Sequence, residues 1–200
     1  MAAVEKTVVI QGTRALIFHR FNVDVITQPT RKEKTGSAGN NPEEWRTSFF
    51  MTDDRQLYLP RDYFFACIKG GAKYVKVGRG SIAPALTATL QVMTDKVLLD
   101  RYMPENWEKI ETKDFTTNES SPVYLDIRAV INPNTKSRNV RYRIACAEKW
   151  TCAFDVKFDS SIVSVKNVEQ AITDAGALVG LADGRPMGYG RFELLAFDDK

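Results

Sequence analysis

The stretch SVKNVEQAITDAGALVGLADGRPMGYGRFELLAF, residues 164–197, decides the fold. Ser164 stands where an N-cap belongs. An apolar stripe of Val165, Val168, Ile172, Ala175 and Val179 follows, with Lys166, Glu169, Gln170, Thr173 and Asp174 on the other side. This spacing predicts an amphipathic helix, closed by Gly180 where a left-handed residue commonly ends one. A crossover rich in glycine comes next, and then Phe192, Leu194 and Ala196 recur at every second position, as in a strand.

Working outward, Cys152, Phe154, Val156 and Phe158 also alternate, so the C-terminal half reads strand, helix, glycine crossover, strand. The N-terminal half has the same order. Residues 7–10 and 15–18 predict one long strand with a bulge near Gly12, or two short strands. Pro60 opens a helix with Phe64, Cys67, Ile68, Gly71 and Val75 at helical spacing, and Gly70-Gly71 marks a close approach or its end. Residues 85–92 and 96–99 predict a hairpin. A second hairpin pairs 123–131 with 140–146 around NPNTKSRN, where Val123, Leu125, Ile127, Ala129 and Ile131 alternate with polar residues. Two β-α-β halves of this kind predict an α+β, ferredoxin-like (RRM-like) antiparallel sheet with two main helices and inserted loops and hairpins. The expectation is a single domain over residues 1–200, with 22–45 a flexible, thumb-like insertion.

Composition sets the class. The chain has 200 residues, is 44% hydrophobic and 26% charged, and carries 28 Lys and Arg against 25 Asp and Glu, a net charge of +3. Those values fit a globular protein and exclude global disorder. No apolar run approaches a membrane span, and the start MAAVEKTVVI has no signal-peptide pattern, so the expected location is the cytoplasm, away from membranes. Cys67, Cys146 and Cys152 lie in apolar contexts without a C-x-x-C pair and are expected as buried thiols.

Charge placement says more than net charge. Residues 128–149 hold six basic residues against one acid, and 73–80 hold three against none. Arg141 and Arg143 are predicted on one face of a strand, opposite Val140, Tyr142 and Ile144, with Arg128 on the polar face of its partner. Guanidiniums across a sheet with aromatics nearby suit a track for single-stranded nucleic acid. In the crossover, glycines permit a close backbone approach, Arg185 and Arg191 offer forks to phosphate, and Tyr189 offers a stacking ring. The candidate nucleic-acid-binding set is therefore Arg31, Lys32, Lys34, Lys76, Arg79, Arg128, Lys136, Arg138, Arg141, Tyr142, Arg143, Arg185, Tyr189 and Arg191. The alternative for these residues is a solvated basic face, and for the glycines a tight turn with Arg185 paired to Asp183 or Asp174.

Other chemistry finds little support. The glycines follow a helix and precede a strand, the reverse of a Walker or Rossmann loop. His19 is the sole histidine, which excludes a multi-histidine metal site, and no cofactor is expected.

Three stretches, TVVIQGTRALIFHRF (7–21), QLYLPRDYFFACIKGGAK (56–73) and AGALVGLADGRPMGYGRFE (175–193), resemble the RAMP superfamily, in particular the backbone subunits of CRISPR effector complexes and small related proteins of phages and mobile elements. The resemblance implies a ferredoxin-like core, nucleic-acid binding along a sheet or cleft, and head-to-tail assembly on the strand. Taken together, the expectation is a non-enzymatic, largely sequence-independent binder of single strands, with single-stranded DNA favoured over RNA, forming a homo-oligomer on the strand. Two alternatives stand beside it. One is a RAMP-type endoribonuclease using His19 as general base, or a CRISPR backbone subunit; the other is a structural protein whose basic face meets an acidic partner.

Overall fold

The computed structural model describes residues 2–20, 41–131, 136 and 138–200. A six-stranded antiparallel sheet carries the order β11 (Phe192–Asp199), β1 (Ala3–Gly12), β10 (Thr151–Asp159), β7 (Lys96–Tyr102), β3 (Gln56–Pro60), with the short β6 (Gln91–Val92) also on β10. Two helices cover one face. Helix α1 (Arg61–Gly71) connects β1 toward β7, and helix α3 (Val165–Asp174) connects β10 to β11. Each crossover skips one strand of the other half, which is the split β-α-β arrangement of a ferredoxin-like fold.

Alternation along each strand explains the layering. Val8, Ile10, Phe154, Val156, Val97, Leu99, Leu57 and Leu59 are buried and belong to one core cluster with Phe64, Ile68, Val168 and Ile172 from the helices. Phe64 meets Phe154 with ring centroids 4.6 Å apart. The two helices approach through glycine: a Cβ on Gly71 would lie 2.2 Å from the carbonyl oxygen of Ala171 and 2.5 Å from the amide of Ala175. Ser164 caps α3 through its hydroxyl, which accepts from the Asn167 amide at 3.3 Å. The helix then widens into a π-turn over Ala175–Val179, and the Gly180 amide donates to the Ala175 carbonyl at 2.8 Å. Gly180, at φ +84°, releases the chain into the crossover.

Three readings are corrected. Residues 83–89 form a helix, α2 (Ala83–Thr89), where a strand was expected. Its APALTAT sequence has Pro at the first turn and the strong helix formers Ala and Leu, and these outweigh a short apolar run that fits either state. β6 and β7 therefore make no hairpin with each other; both pair with β10. Of the two options for residues 7–18, the bulged long strand gives way to two strands: β1 ends at Gly12, where a Cβ would sit 2.1 Å from the Trp150 indole nitrogen, and Leu16–Ile17 pair in a different sheet, while the register shift in β1 falls between Val9 and Ile10.

Between β7 and β10 the chain builds β8 (Val123–Ile131) and β9 (Arg138–Cys146), joined by β2 (Leu16–Ile17) into a second, three-stranded sheet. Its registers put Val123, Leu125, Ile144 and Cys146 on the core side and Tyr124, Asp126, Arg128, Arg141, Arg143 and Ala145 on the other. Part of the expected thumb, residues 21–40, lies outside the described residues. Its end is ordered: Glu44–Thr47 make a 3-10 turn with Trp45 fully buried beneath it. Among the described residues no helix is long and apolar enough to cross a membrane.

Candidate nucleic-acid interface

The β8–β9 hairpin holds four of the eight predicted arginines, and carboxylates neutralise three of them. Asp126, 3% exposed, receives the Arg128 Nε at 2.8 and 2.7 Å on its two oxygens. Arg143 is buried between Asp126, at 3.6 Å, and Asp183 of the crossover. Arg141 donates through Nε to Glu44 at 3.0 Å, and the same carboxylate oxygen accepts from the Tyr142 amide at 3.4 Å. The expectation that Arg128, Arg141 and Arg143 form an open cationic face is thereby corrected. The crossover lies against that face, and a guanidinium shut away from water requires a counter-charge. Burial works against the charge of Arg128, but its hydrogen bonds with Asp126 and Tyr189 outweigh this and hold its pKa above the ordinary value.

Tyr189 is occupied as well. Its ring lies 4.4 Å beneath the Arg128 guanidinium and packs on Ile17, Tyr124 and Ala145. Tyr142 is half-buried against the core beside Ile127. Lys136 and Arg138 are exposed at the far end of the hairpin. Arg31, Lys32 and Lys34 lie outside the described residues.

The open face of the main sheet does not substitute for the lost track. Opposite the helices it presents Glu5, Asp100, Asp155, Glu193 and Asp198, and its Lys157 and Lys200 pair with Glu5 at 2.8 Å and Asp155 at 2.6 Å. Negative charge there repels phosphate.

Of the other predicted cations, Arg185 and Arg191 share one cavity wall, and Lys76 and Arg79 are exposed. At the C-terminal end of α1 the exposed Lys69 and Lys73 precede a short hairpin of β4 (Lys76–Val77) and β5 (Gly80–Ser81), where Lys76 pairs across to Ser81 and Gly78, at φ +58°, places Arg79 at the tip. Lys73 borders two cavities. One, of about 560 Å³, also has Lys69 and Ser81 in its wall; the other, of about 360 Å³, has Tyr74, Arg185 and Arg191. No Asp or Glu lines either cavity. No salt bridge joins Lys69, Lys73, Lys76, Arg79, Arg185 or Arg191 to a carboxylate of the described residues. Tyr74 is 53% exposed beside them. Lys69 and Lys73 also stand at the negative end of the α1 dipole, which favours cations there.

Local sequence builds this shelf. Gly70-Gly71 lets α1 press on α3, with Val179 of the π-turn meeting Gly70, so the crossover returns beside the helix end. Gly184 and Gly188, at φ +71° and +88°, bracket Arg185 in a tight turn. Lys76, Arg79, Arg185 and Arg191 belong to the candidate set read from the sequence; Lys73 was counted in the 73–80 basic cluster but left out of that set, as were Lys69 and Tyr74. The available signal was that residues 69–81 carry four cations and no acid.

The three thiols are buried. Burial pushes Cys67 up to about 12, against the pull of Arg185, the Gly180 backbone and Arg191, and burial likewise raises Cys146 and Cys152. His19 is exposed, and its backbone carbonyl accepts from the Tyr63 hydroxyl at 3.0 Å. Among the described residues no group of three or more His, Cys, Asp or Glu is placed to hold a metal.

No protein-family model matches the sequence, and no curated protein matches it. Among solved structures, the chain is similar to one in the cryo-EM structure of the Type III-B Cmr-beta bound to cognate target RNA, with a TM-score of 0.50 and 14% identity. The match covers 98% of this chain and 60% of that one, so the protein spans about three-fifths of its structural neighbour's length. At this identity the likeness concerns the fold alone, an α+β, ferredoxin-like architecture.

Proposed function

We propose that the protein binds single-stranded nucleic acid through the basic shelf formed by the end of α1, the β4–β5 hairpin and the 185–191 crossover, and performs no chemistry on it. The observation that carries this reading is that Lys69, Lys73, Arg185 and Arg191 line two cavities that share Lys73 and have no carboxylate in either wall, next to the exposed ring of Tyr74 and with Lys76 and Arg79 exposed on the hairpin whose Ser81 lines one of them. Cations track phosphates and an exposed ring stacks on any base, a combination that tolerates all sequences. The fold of the chain resembles one found in an assembly bound to target RNA, which supports the same class of ligand. The preference for DNA drawn from the sequence has no separate structural support, so both strand types enter the test. Assembly on the strand is part of the proposal, supported by the apolar exposed surface of Ile127, Val130 and Ile131 on the projecting hairpin.

Fluorescence anisotropy with single-stranded DNA, single-stranded RNA and duplex across a salt series tests the reading. Log affinity for single strands should fall linearly with log salt by about 0.7 per phosphate contact, and Lys73→Gln with Arg79→Gln should lower that slope by about 1.4. Lys157→Gln, on the acidic face, should change nothing. Flat salt dependence refutes the proposal. Size-exclusion with and without oligonucleotide tests assembly, which should appear only with the strand. Incubation of labelled RNA with the wild type tests the absence of chemistry; cleavage abolished by His19→Ala would establish the nuclease instead.

A further inference from the structure

The smaller cavity of the shelf differs from an open phosphate track. Its volume is about 360 Å³, and Lys73, Arg185 and Arg191 stand in one wall system with the Tyr74 phenol, while Leu178, Val179 and Pro186 supply apolar surface. That volume is at the lower end for small-ligand sites, enough for one nucleotide end and too small for a run of them. Arg191 is set firmly: its backbone carbonyl accepts from the Thr13 and Arg14 amides at 2.9 and 3.3 Å. Its Nη1 is buried without a hydrogen-bond partner. That nitrogen is closed to solvent, so a group entering the cavity meets the other atoms of Arg191.

We propose that this cavity seats the terminal phosphate monoester of the bound strand. The inference rests on the proposed function and names which part of the strand the cavity takes. Charge decides between the two kinds of phosphate. A backbone phosphodiester carries one negative charge, whereas three cations with no carboxylate in the lining call for more. A monoester near neutral pH carries about −1.5 to −2, with a second pKa of about 6, and its three free oxygens accept from several donors together. Two guanidinium forks and one ammonium match that pattern, since arginine recognises phosphate in bidentate fashion and lysine as a point charge. The apolar wall of Leu178, Val179 and Pro186 leaves the sugar of the end residue in contact with carbon.

The experiment uses the full chain and short oligonucleotides of one sequence carrying a 5′-phosphate, a 3′-phosphate or hydroxyls at both ends, with an internal fluorophore. One phosphorylated end should bind about tenfold tighter than the hydroxyl-ended strand, the equivalent of one charge-assisted hydrogen bond. Which end gains the advantage identifies the polarity of the strand. The advantage should shrink as pH falls through about 6, where the monoester loses its second charge, while binding of the hydroxyl-ended strand holds. Arg191→Gln should abolish the advantage, and Arg191→Lys, which keeps the charge and spares the fold, should reduce it; circular dichroism checks that both fold. Equal affinity for all three strands overturns the inference and leaves the proposed function standing. Failure of every strand to bind overturns both.

Discussion

Replacing Arg143 with methionine tests the charge arrangement that closes the crossover onto the β8–β9 hairpin. The cluster has two carboxylates, Asp126 and Asp183, and two guanidiniums, Arg128 and Arg143; the side chains of Asp126 and Arg143 are 3% and 4% exposed, and that of Asp183 is 39% exposed. Removing one partner of a buried pair costs about 3–5 kcal/mol, because a charge is left without compensation. Two features place Arg143→Met at the low end, about 3 kcal/mol on that scale. Asp126 keeps Arg128, and the Arg143 Nε and Nη2 are themselves buried without hydrogen-bond partners. For a chain of this size the loss corresponds to a drop in Tm of about 6–12 °C. Adding Asp183→Asn restores the balance, since Asp126 and Arg128 then pair alone, so the double variant should recover about 1–2 kcal/mol relative to the sum of the singles. Thermal and urea unfolding of the four proteins measure this. A loss below about 1 kcal/mol for Arg143→Met, or strict additivity, refutes the reasoning, because either outcome falls outside what a coupled buried cluster does. Well below its Tm, Arg143→Met should bind oligonucleotide as the wild type does, since its guanidinium faces carboxylates and not solvent.

Gly71→Ala should cost about 1–3 kcal/mol, because the new methyl meets the Ala171 carbonyl and Ala175 amide of α3, which cannot yield; Gly80→Ala, with nothing within 4 Å, should be neutral or slightly stabilising, as thermal melts will show. Thiol reagents should label none of Cys67, Cys146 and Cys152 in the native protein and all three after unfolding. The raised Cys67 pKa sets a sign. Its contribution is complete below the unfolded thiol value of 9.0 and is lost as pH climbs toward about 12, so unfolding midpoints should fall across that window. Asp155 and Glu5 behave oppositely: Lys200 with Thr7, and Lys157, hold their carboxyls below the ordinary values of 3.8 and 4.5, so this stability is present above those values and is lost as pH falls through the lower folded ones. Lys200→Gln should flatten that acid limb in a pH series of urea melts.

The sequence by itself determined the elements and their order. Alternation in 152–158, the stripe of 165–179, the cap at Ser164 and the left-handed Gly180 are local properties, set by sterics and burial within a few residues, and each was legible. It misread 83–89, where a short apolar run satisfies two periods and the helix is selected by Pro84 in the first turn and the helix-forming Ala and Leu, together with packing against α1 and β10. The tertiary structure alone decided which cations are free. Arg141 and Arg143 are two positions apart in the chain and look equivalent to Lys76 and Arg79, yet the first pair meets Glu44, Asp126 and Asp183 while the second stands in solvent. Carboxylates 17, 40 and 97 positions away from their arginines in the chain carry no periodic signal linking them. A charge is neutralised by what lies within a few ångströms in space, whatever the separation along the backbone, and that distance is fixed only when β8–β9 and the crossover fold together.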